Sequence, residues 1–349
     1  SNTTVTNGND CYSLSGATYG VYSDKGCTKS VATLTTNANG NTDTVELRAA
    51  TYYVKETKAP KGFQLDKNVY TMTVKVNETT TLKVSDRPKV TDTLVELFKI
   101  DMEISKATPQ GNASLEGAEF VWKYYDGYYT KDNLPSEPTR TWSTKTIAEK
   151  DSNNEVHYIT RLADSYKVLG DSFYTQNGTI CLPLGTITVE EKTAPNGYLL
   201  EGAYMQAAGS SEQIKGVFVA QITEDGELAA LSGSNQYSVL DKVIRGGVKI
   251  QKRDLETKDT KAQGGATLKD TAFEIISLND NAVLVDGKLY NKNEVVKTIH
   301  TGVDGIATTA ADTLPYGKWI AVLISHIIAC ITAILTGTHS FKKNIKMEG

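Results

Sequence analysis

Thr186-Ile-Thr-Val-Glu-Glu191-Lys-Thr-Ala-Pro195-Asn-Gly-Tyr198 has an earlier counterpart in Tyr52-Tyr-Val-Lys-Glu56-Thr-Lys-Ala-Pro60-Lys-Gly-Phe63. In both, a strand-like run reaches a Glu and is ended by an Ala-Pro-x-Gly-aromatic step. Alternation of apolar and polar residues marks a strand with one buried face, and Pro followed closely by Gly marks the turn that stops it. Superposing the Ala-Pro pairs sets Glu56 over Glu191.

The repetition extends outward from this motif. A Leu five residues before an aromatic recurs in Leu14-Ser-Gly-Ala-Thr-Tyr19, Leu115-Glu-Gly-Ala-Glu-Phe120 and Leu268-Lys-Asp-Thr-Ala-Phe273. An Asn-Gly or Asp-Gly turn follows at Asn39-Gly40, Asn177-Gly178 and Asp304-Gly305. Two copies end alike, in Val84-Ser-Asp86-Arg-Pro88 and Val239-Leu-Asp241-Lys-Val243. Between anchors the alternation persists, as in Tyr70-Thr-Met72-Thr-Val74-Lys-Val76, with turn residues about every eight to twelve positions. That pattern predicts an all-β chain of tandem antiparallel β-sandwich modules. A length of 349 residues suits two or three domains, and 44 Thr residues add strand propensity. Arg87-Pro88 and Arg245-Gly-Gly247 place the boundaries, giving modules over 1–89, 90–244 and 245–349.

Several function classes fall away at once. Basic residues number 37 against 41 acidic, a net charge of −4 with no basic block, which argues against a nucleic-acid partner. The four Cys and four His form no C-x-x-C or H-x-x-x-H pair, so no metal site is expected. Asp151, Asn153 and Glu155 are spaced loosely like calcium ligands but lack the Gly and closing Glu of such a loop, and read as solvated. Nucleophile-elbow, phosphate-loop and zincin motifs are missing, so neither an enzyme nor a cofactor is expected.

The Glu-x-x-Ala-Pro-x-Gly-aromatic motif, the Leu-x-Gly-Ala-x-aromatic step and the openings Lys99-Ile-Asp101 and Lys252-Arg-Asp254 together resemble the SpaA-type, Cna B-type pilin modules of Gram-positive surface proteins. The resemblance covers the first two copies and the third to about Lys318. It implies a prealbumin-like sandwich, often locked by a spontaneous isopeptide bond from Lys to Asn or Asp, promoted by a Glu on a neighbouring strand. Lys99, Asp241 and the promoting Glu191 are the matching positions in the second copy. An amine attacks carboxyl carbon only when neutral, and burial favours neutral forms of both partners. A protonated Glu191 would polarise the Asp241 carbonyl and shuttle protons while water leaves. Glu190 is set aside because strand alternation turns it to the opposite face.

The other copies depart from this pattern. The first keeps Glu56 and Asp86 without a Lys before Leu14, so the same bond is not expected there. Cys11 and Cys27 bracket its opening segment, and a disulfide between them is expected of an exported protein. Cys181 and Cys330 read as core residues. The third copy supplies Lys252 but replaces the Glu motif with the apolar run Trp319 to Leu335, and Asn344 is its one conceivable acceptor, so no bond is expected. That run, followed by Lys342, Lys343 and Lys346, reads as a membrane anchor, a diverged strand or a slip of the reading frame. Leu314-Pro315-Tyr-Gly317 is similar to a sorting motif, yet Leu182-Pro183-Leu-Gly185 fills the same slot in the second copy, which favours the latter two readings. Membrane contact is expected only if 319–335 is an anchor.

The resemblance implies an extracellular, cell-surface or cell-wall protein, a pilin subunit or adhesin stalk, whose partners are other pilin or surface-protein subunits and host surface ligands. The lack of a signal peptide at Ser1 fits a processed or truncated start. The rival is a carbohydrate- or host-ligand-binding module using Tyr124-Tyr125-Asp-Gly-Tyr128-Tyr129 and Trp142 as an aromatic platform.

Overall fold

The computed structural model describes residues 3–226 and 236–324. These form two compact units, one of residues up to 109 with 114–243, the other of 110–113 with 244 onward. After a helical turn α1 (Thr3–Thr6), the first unit begins with β1 (Thr18–Tyr22), β2 (Ser30–Thr35), β3 (Ala50–Lys58) and β4 (Val69–Val74), an antiparallel sheet in the order β2-β1-β3-β4. Alternation turns Tyr19, Val21, Tyr52 and Val54 to one face, where they form a buried cluster. Only partly buried residues, among them Leu47, Leu82 and Val84, pack over them from segments outside the sheet.

The rest of this unit comprises β5 (Val90–Thr91), β6 (Glu96–Asp101), β7 (Glu119–Tyr125), β8 (Arg140–Lys145), β9 (Ile147–Lys150), β10 (Val156–Thr160), β11 (Lys167–Gly170), β12 (Tyr174–Gln176), β13 (Thr179–Pro183), β14 (Gly185–Thr193), β15 (Tyr198–Ala207), β16 (Phe218–Ile222) and β17 (Gln236–Val243). Two five-stranded sheets result, β11-β8-β7-β14-β16 and β15-β17-β6-β10-β9. The first repeats the order β2-β1-β3-β4 with an added edge strand. The second contains a parallel pairing, β6 with β17, which joins the opening strand to the last. Between the sheets lie Leu97, Phe120, Trp122, Trp142, Ile187, Val189, Phe218 and Tyr237, all but closed to solvent. At about 1.5–3 kcal/mol per large apolar side chain, this layer is the main source of the module's stability.

The Ala-Pro-x-Gly-aromatic step is a β-turn in both copies. Phe63 N–H donates to Pro60 O at 3.2 Å and Tyr198 N–H to Pro195 O at 3.0 Å. The third turn position is Gly62 or Gly197, with φ +83° and +87°, a region that L side chains adopt at a cost. At Gly62 there is a second constraint, because a Cβ would come within 2.6 Å of the Tyr12 ring. Tyr12 in turn donates to Lys89 O at 2.6 Å and accepts from Leu184 N–H at 2.8 Å, which ties the start of the chain to the second sandwich.

The second unit contains β18 (Arg245–Gly246), β19 (Lys249–Gln251), β20 (Ala272–Ser277), β21 (Val283–Val285), β22 (Lys288–Tyr290), β23 (Val295–His300), β24 (Ile306–Thr308), β25 (Leu314–Pro315) and β26 (Trp319–Leu323). Its largest sheet, β23-β20-β26, repeats the arrangements β2-β1-β3 and β8-β7-β14. The start of the apolar run at Trp319 is therefore a sheet strand, paired with β20 in the slot of β3 and β14. The remainder of the run, and Cys330 and Asn344, lie outside the described residues. Among those described, no helix is long and apolar enough to cross a membrane.

Two expectations about side chains are corrected. Cys11 and Cys27 are both free thiols. Cys11 is buried in the core of the second sandwich, whereas Cys27 sits in the β1–β2 turn at φ +54° with its thiol directed to Lys25 O, so their neighbourhoods are separate. The aromatic platform is likewise cut down, since Tyr124, Tyr125 and Trp142 are buried and Trp142 stacks on Phe173, while Tyr128 is exposed and Tyr129 half-buried.

Candidate functional site

Alternation along β6 turns Leu97, Lys99 and Asp101 into the sandwich, and along β17 it does the same for Tyr237, Val239 and Asp241. Parallel pairing sets Lys99 opposite Val239 and Asp101 opposite Asp241, so Lys99 and Asp241 are diagonal neighbours on one face. Glu191 reaches them from β14 in the facing sheet, in line with Ile187 and Val189. Glu190 points outward, 2.5 Å from Lys192.

All three groups are cut off from water: Lys99 is 1%, Glu191 8% and Asp241 0% exposed. The Lys99 Nζ donates to Glu191 Oε1 at 2.6 Å and Oε2 at 2.7 Å, and it lies 2.5 Å from Asp241 Oδ1. That last approach is off the hydrogen-bonding direction, and both Asp241 oxygens stay without a hydrogen bond. One cation cannot balance two buried carboxylates, and an uncompensated buried charge is expensive. The resolution is a proton. Burial raises Glu191 from 4.5 to about 8, against the pull of Lys99 and with the help of the Asp241 charge. Burial also holds the Asp241 carboxyl above its ordinary range despite the Lys99 ammonium. The Phe120 ring, 5.9 Å from Nζ, forms part of the apolar wall.

Such a site can join an amine to a carboxyl. Shifting one proton from nitrogen to Asp241 makes a nucleophile and an acid without changing the total charge, and a protonated Glu191 is in place to relay protons. Fixed neighbours in a dry pocket react as though at very high concentration, so no external catalyst is required.

The Lys-x-Asp opening has a second function that sequence reading alone missed. Asp101 Oδ1 accepts from the Glu103 and Ile104 amides at 2.9 and 3.1 Å, and Tyr198 donates to its Oδ2 at 2.7 Å. Asp254 accepts from the Glu256 and Thr257 amides at 2.9 and 3.0 Å in the same way. Each Asp thus forms the turn that follows its Lys. The signal was present in the shared spacing of Lys99-Ile-Asp101 and Lys252-Arg-Asp254. Lys252 itself donates to Thr271 Oγ1 at 2.9 Å. Asp151, Glu155 and His157 gather at the exposed β9–β10 turn, where Asp151 also holds the Asn153 and Glu155 amides as a turn former does.

Comparison with known proteins finds a family match at the start of the chain. Residues 4–88 match the model of the SpaA prealbumin-like fold domain. The first module is a SpaA-type domain. The chain is also 38% identical over 88 residues to the trypsin-resistant surface T6 protein of Streptococcus pyogenes serotype M6, a match that takes in 23% of this chain and only 16% of that protein. Among solved structures, the Bacillus anthracis TIE protein aligns with 90% of this chain and 43% of its own at 23% identity, with a TM-score of 0.49. BcpA, the major pilin subunit of Bacillus cereus, aligns with 88% of this chain and 83% of its own at 15% identity and a TM-score of 0.26. The sandwich that follows these residues repeats their sheet order and their Ala-Pro-x-Gly-aromatic turn.

Proposed function

We propose that this chain is a structural component of a bacterial surface, a pilin subunit or adhesin stalk built of SpaA-type modules over 1–89, 90–244 and 245–349, and that its second module locks itself with an amide between Lys99 and Asp241. The observation that carries the reading is the dry cluster in which Nζ lies 2.5 Å from Asp241 Oδ1 while donating to Glu191 Oε1. In the reaction, neutral Nζ attacks Cγ of the protonated Asp241. Glu191 takes a proton from nitrogen and returns one to the departing hydroxyl, and one amide and one water result.

The bond would tie the first strand of the module to its last. Tension applied to the two ends of the sandwich would then pass from β6 to β17 through covalent structure, as suits a stalk that anchors a cell. Location at the cell surface, and assembly with other pilin or surface-protein subunits or host ligands, belong to this reading. A sugar-binding role would have to rest on Tyr128 and Tyr129, because Tyr124, Tyr125 and Trp142 form core.

Single-molecule pulling on the full chain tests the mechanical claim. The roughly 142 residues between Lys99 and Asp241 should stay unextended in the wild type, and a Glu191→Ala chain should release about 500 Å at some 3.5 Å per residue. Release of that length by the wild type would refute the reading.

A further inference from the structure

Asp101 is enclosed more deeply than the turn it forms requires. Asp254 holds the matching pair of amides after Lys252 and is only half-buried, whereas Asp101 is 0% exposed. What stands beside Asp101 accounts for the difference. The parallel register sets it directly opposite Asp241, and the Met102 amide donates to Asp241 O at 2.9 Å, which holds the two strands together at this point. Paired strands lie about 4.8 Å apart with opposed side chains on one face, so the two carboxyl groups share a single dry corner of the sandwich.

Like charges directly opposite each other repel, and here no solvent screens them. One member of the pair is therefore an acid, and the hydrogen bonds decide which. Asp101 receives three donors, the Glu103 and Ile104 amides on Oδ1 and the Tyr198 hydroxyl on Oδ2. That set suits an ion, since a carboxylate only accepts. Neither oxygen of Asp241 has a hydrogen bond. The negative charge belongs on Asp101 and the proton on Asp241, whose carboxyl burial and, in smaller part, the Asp101 charge hold above its ordinary range. The third donor comes from the repeated motif itself. Tyr198 is the aromatic of its Ala-Pro-x-Gly step, where the first module has Phe63, which has no hydroxyl.

We infer that Asp101 is a positioning residue for the joining of Lys99 to Asp241: its fixed charge keeps a proton on the Asp241 carboxyl and so extends the reaction toward higher pH. The inference rests on the amide reading of the second module. Asp101 itself makes no bond and exchanges no proton. Neutral Nζ attacks Cγ of Asp241, the hydroxyl leaves Asp241 as water, and Glu191 relays the protons as before. The titratable groups that bear most directly on Asp241 are Lys99 and Asp101 from β6 and Glu191 from β14, and Tyr198 acts from β15 through Asp101. The Lys99 ammonium draws the proton off, and Asp101 opposes it.

The test refolds the full chain unreacted at a series of pH values from 6 to 9 and follows water loss by intact mass, in wild type and in Asp101→Asn. Asn keeps the size of the side chain and an oxygen for the two amides, so the turn is preserved while the charge is lost. Wild type should slow above about 8, where Glu191 ionises, and D101N should begin to slow about one pH unit lower. Their rate ratio should widen about tenfold between pH 6 and 9. A role confined to the turn would lower the D101N rate by one factor at every pH. That result, or an alkaline fall that stays in place or moves upward, would overturn the inference. Asp101→Ser, also uncharged and able to accept a turn amide, should shift the profile in the same direction and decides the question should D101N fail to refold. Water loss in the wild type with coincident profiles removes this inference alone; a wild type that never loses water removes the reading beneath it as well.

Discussion

Replacing Glu191 with Gln keeps the size and shape of the side chain and removes the group proposed to relay protons between Lys99 and Asp241. Without it the two partners should fold together but remain unjoined, and the loop of about 142 residues they would close is freed in the unfolded state. In the chain-entropy treatment of cross-links that loop is worth roughly 5 kcal/mol at 25 °C. For a module of this size, about 2–4 °C per kcal/mol converts the loss to a melting point lower by roughly 10–20 °C. Near-ultraviolet circular dichroism can follow the transition, because Trp122 and Trp142 both sit in this core. The mass of each sample reports whether the bond is present. An unjoined E191Q chain that melts with the wild type would refute the loop-closure argument, and an E191Q chain that still loses water would refute the role assigned to Glu191.

Three further outcomes follow from the same geometry. Chain refolded from denaturant before reaction should form the bond readily near pH 6 and ever more slowly above about 8, roughly tenfold per unit, as Glu191 gives up its proton. Because the folded pKa of Glu191 exceeds its ordinary 4.5, the folded unjoined module holds a proton that the unfolded chain releases, and its stability should fall as pH rises from 4.5 to about 8, measured by urea titration. Thr144→Val should cost about 1–3 kcal/mol for each stranded group, since Thr144 Oγ1 accepts from Trp122 Nε1 and Thr160 Oγ1, both at 2.8 Å, and urea midpoints would show it. Gly62→Ala, at φ +83° with a Cβ 2.6 Å from Tyr12 and 2.7 Å from Cys11 O, should destabilise by about 1–3 kcal/mol and speed trypsin cleavage at Arg87.

Much of this was legible in the residues because it depends on local periodicity. The period of two separated Glu191 from Glu190, and the Ala-Pro register aligned Glu191 with Glu56, which is also buried. What stayed hidden depends on long-range pairing. The parallel contact of β6 with β17 joins residues far apart in sequence and leaves no local mark. Tyr124 and Trp142 looked like a surface platform because composition does not say which face of an edge is covered. Cys11 and Cys27 suggested a bond by proximity in sequence, yet the residues before Leu14 turn away to pack on the next sandwich. Trp319–Leu323 looked anomalous as composition, and its strand slot becomes evident only from its pairing with β20.

Intact mass spectrometry of the full chain, folded under non-reducing and reducing conditions, tests the central claim most directly. The account predicts a mass about 18 Da below that of the sequence under both conditions, restored to the full value in Glu191→Ala. A wild-type chain at its full sequence mass would contradict it.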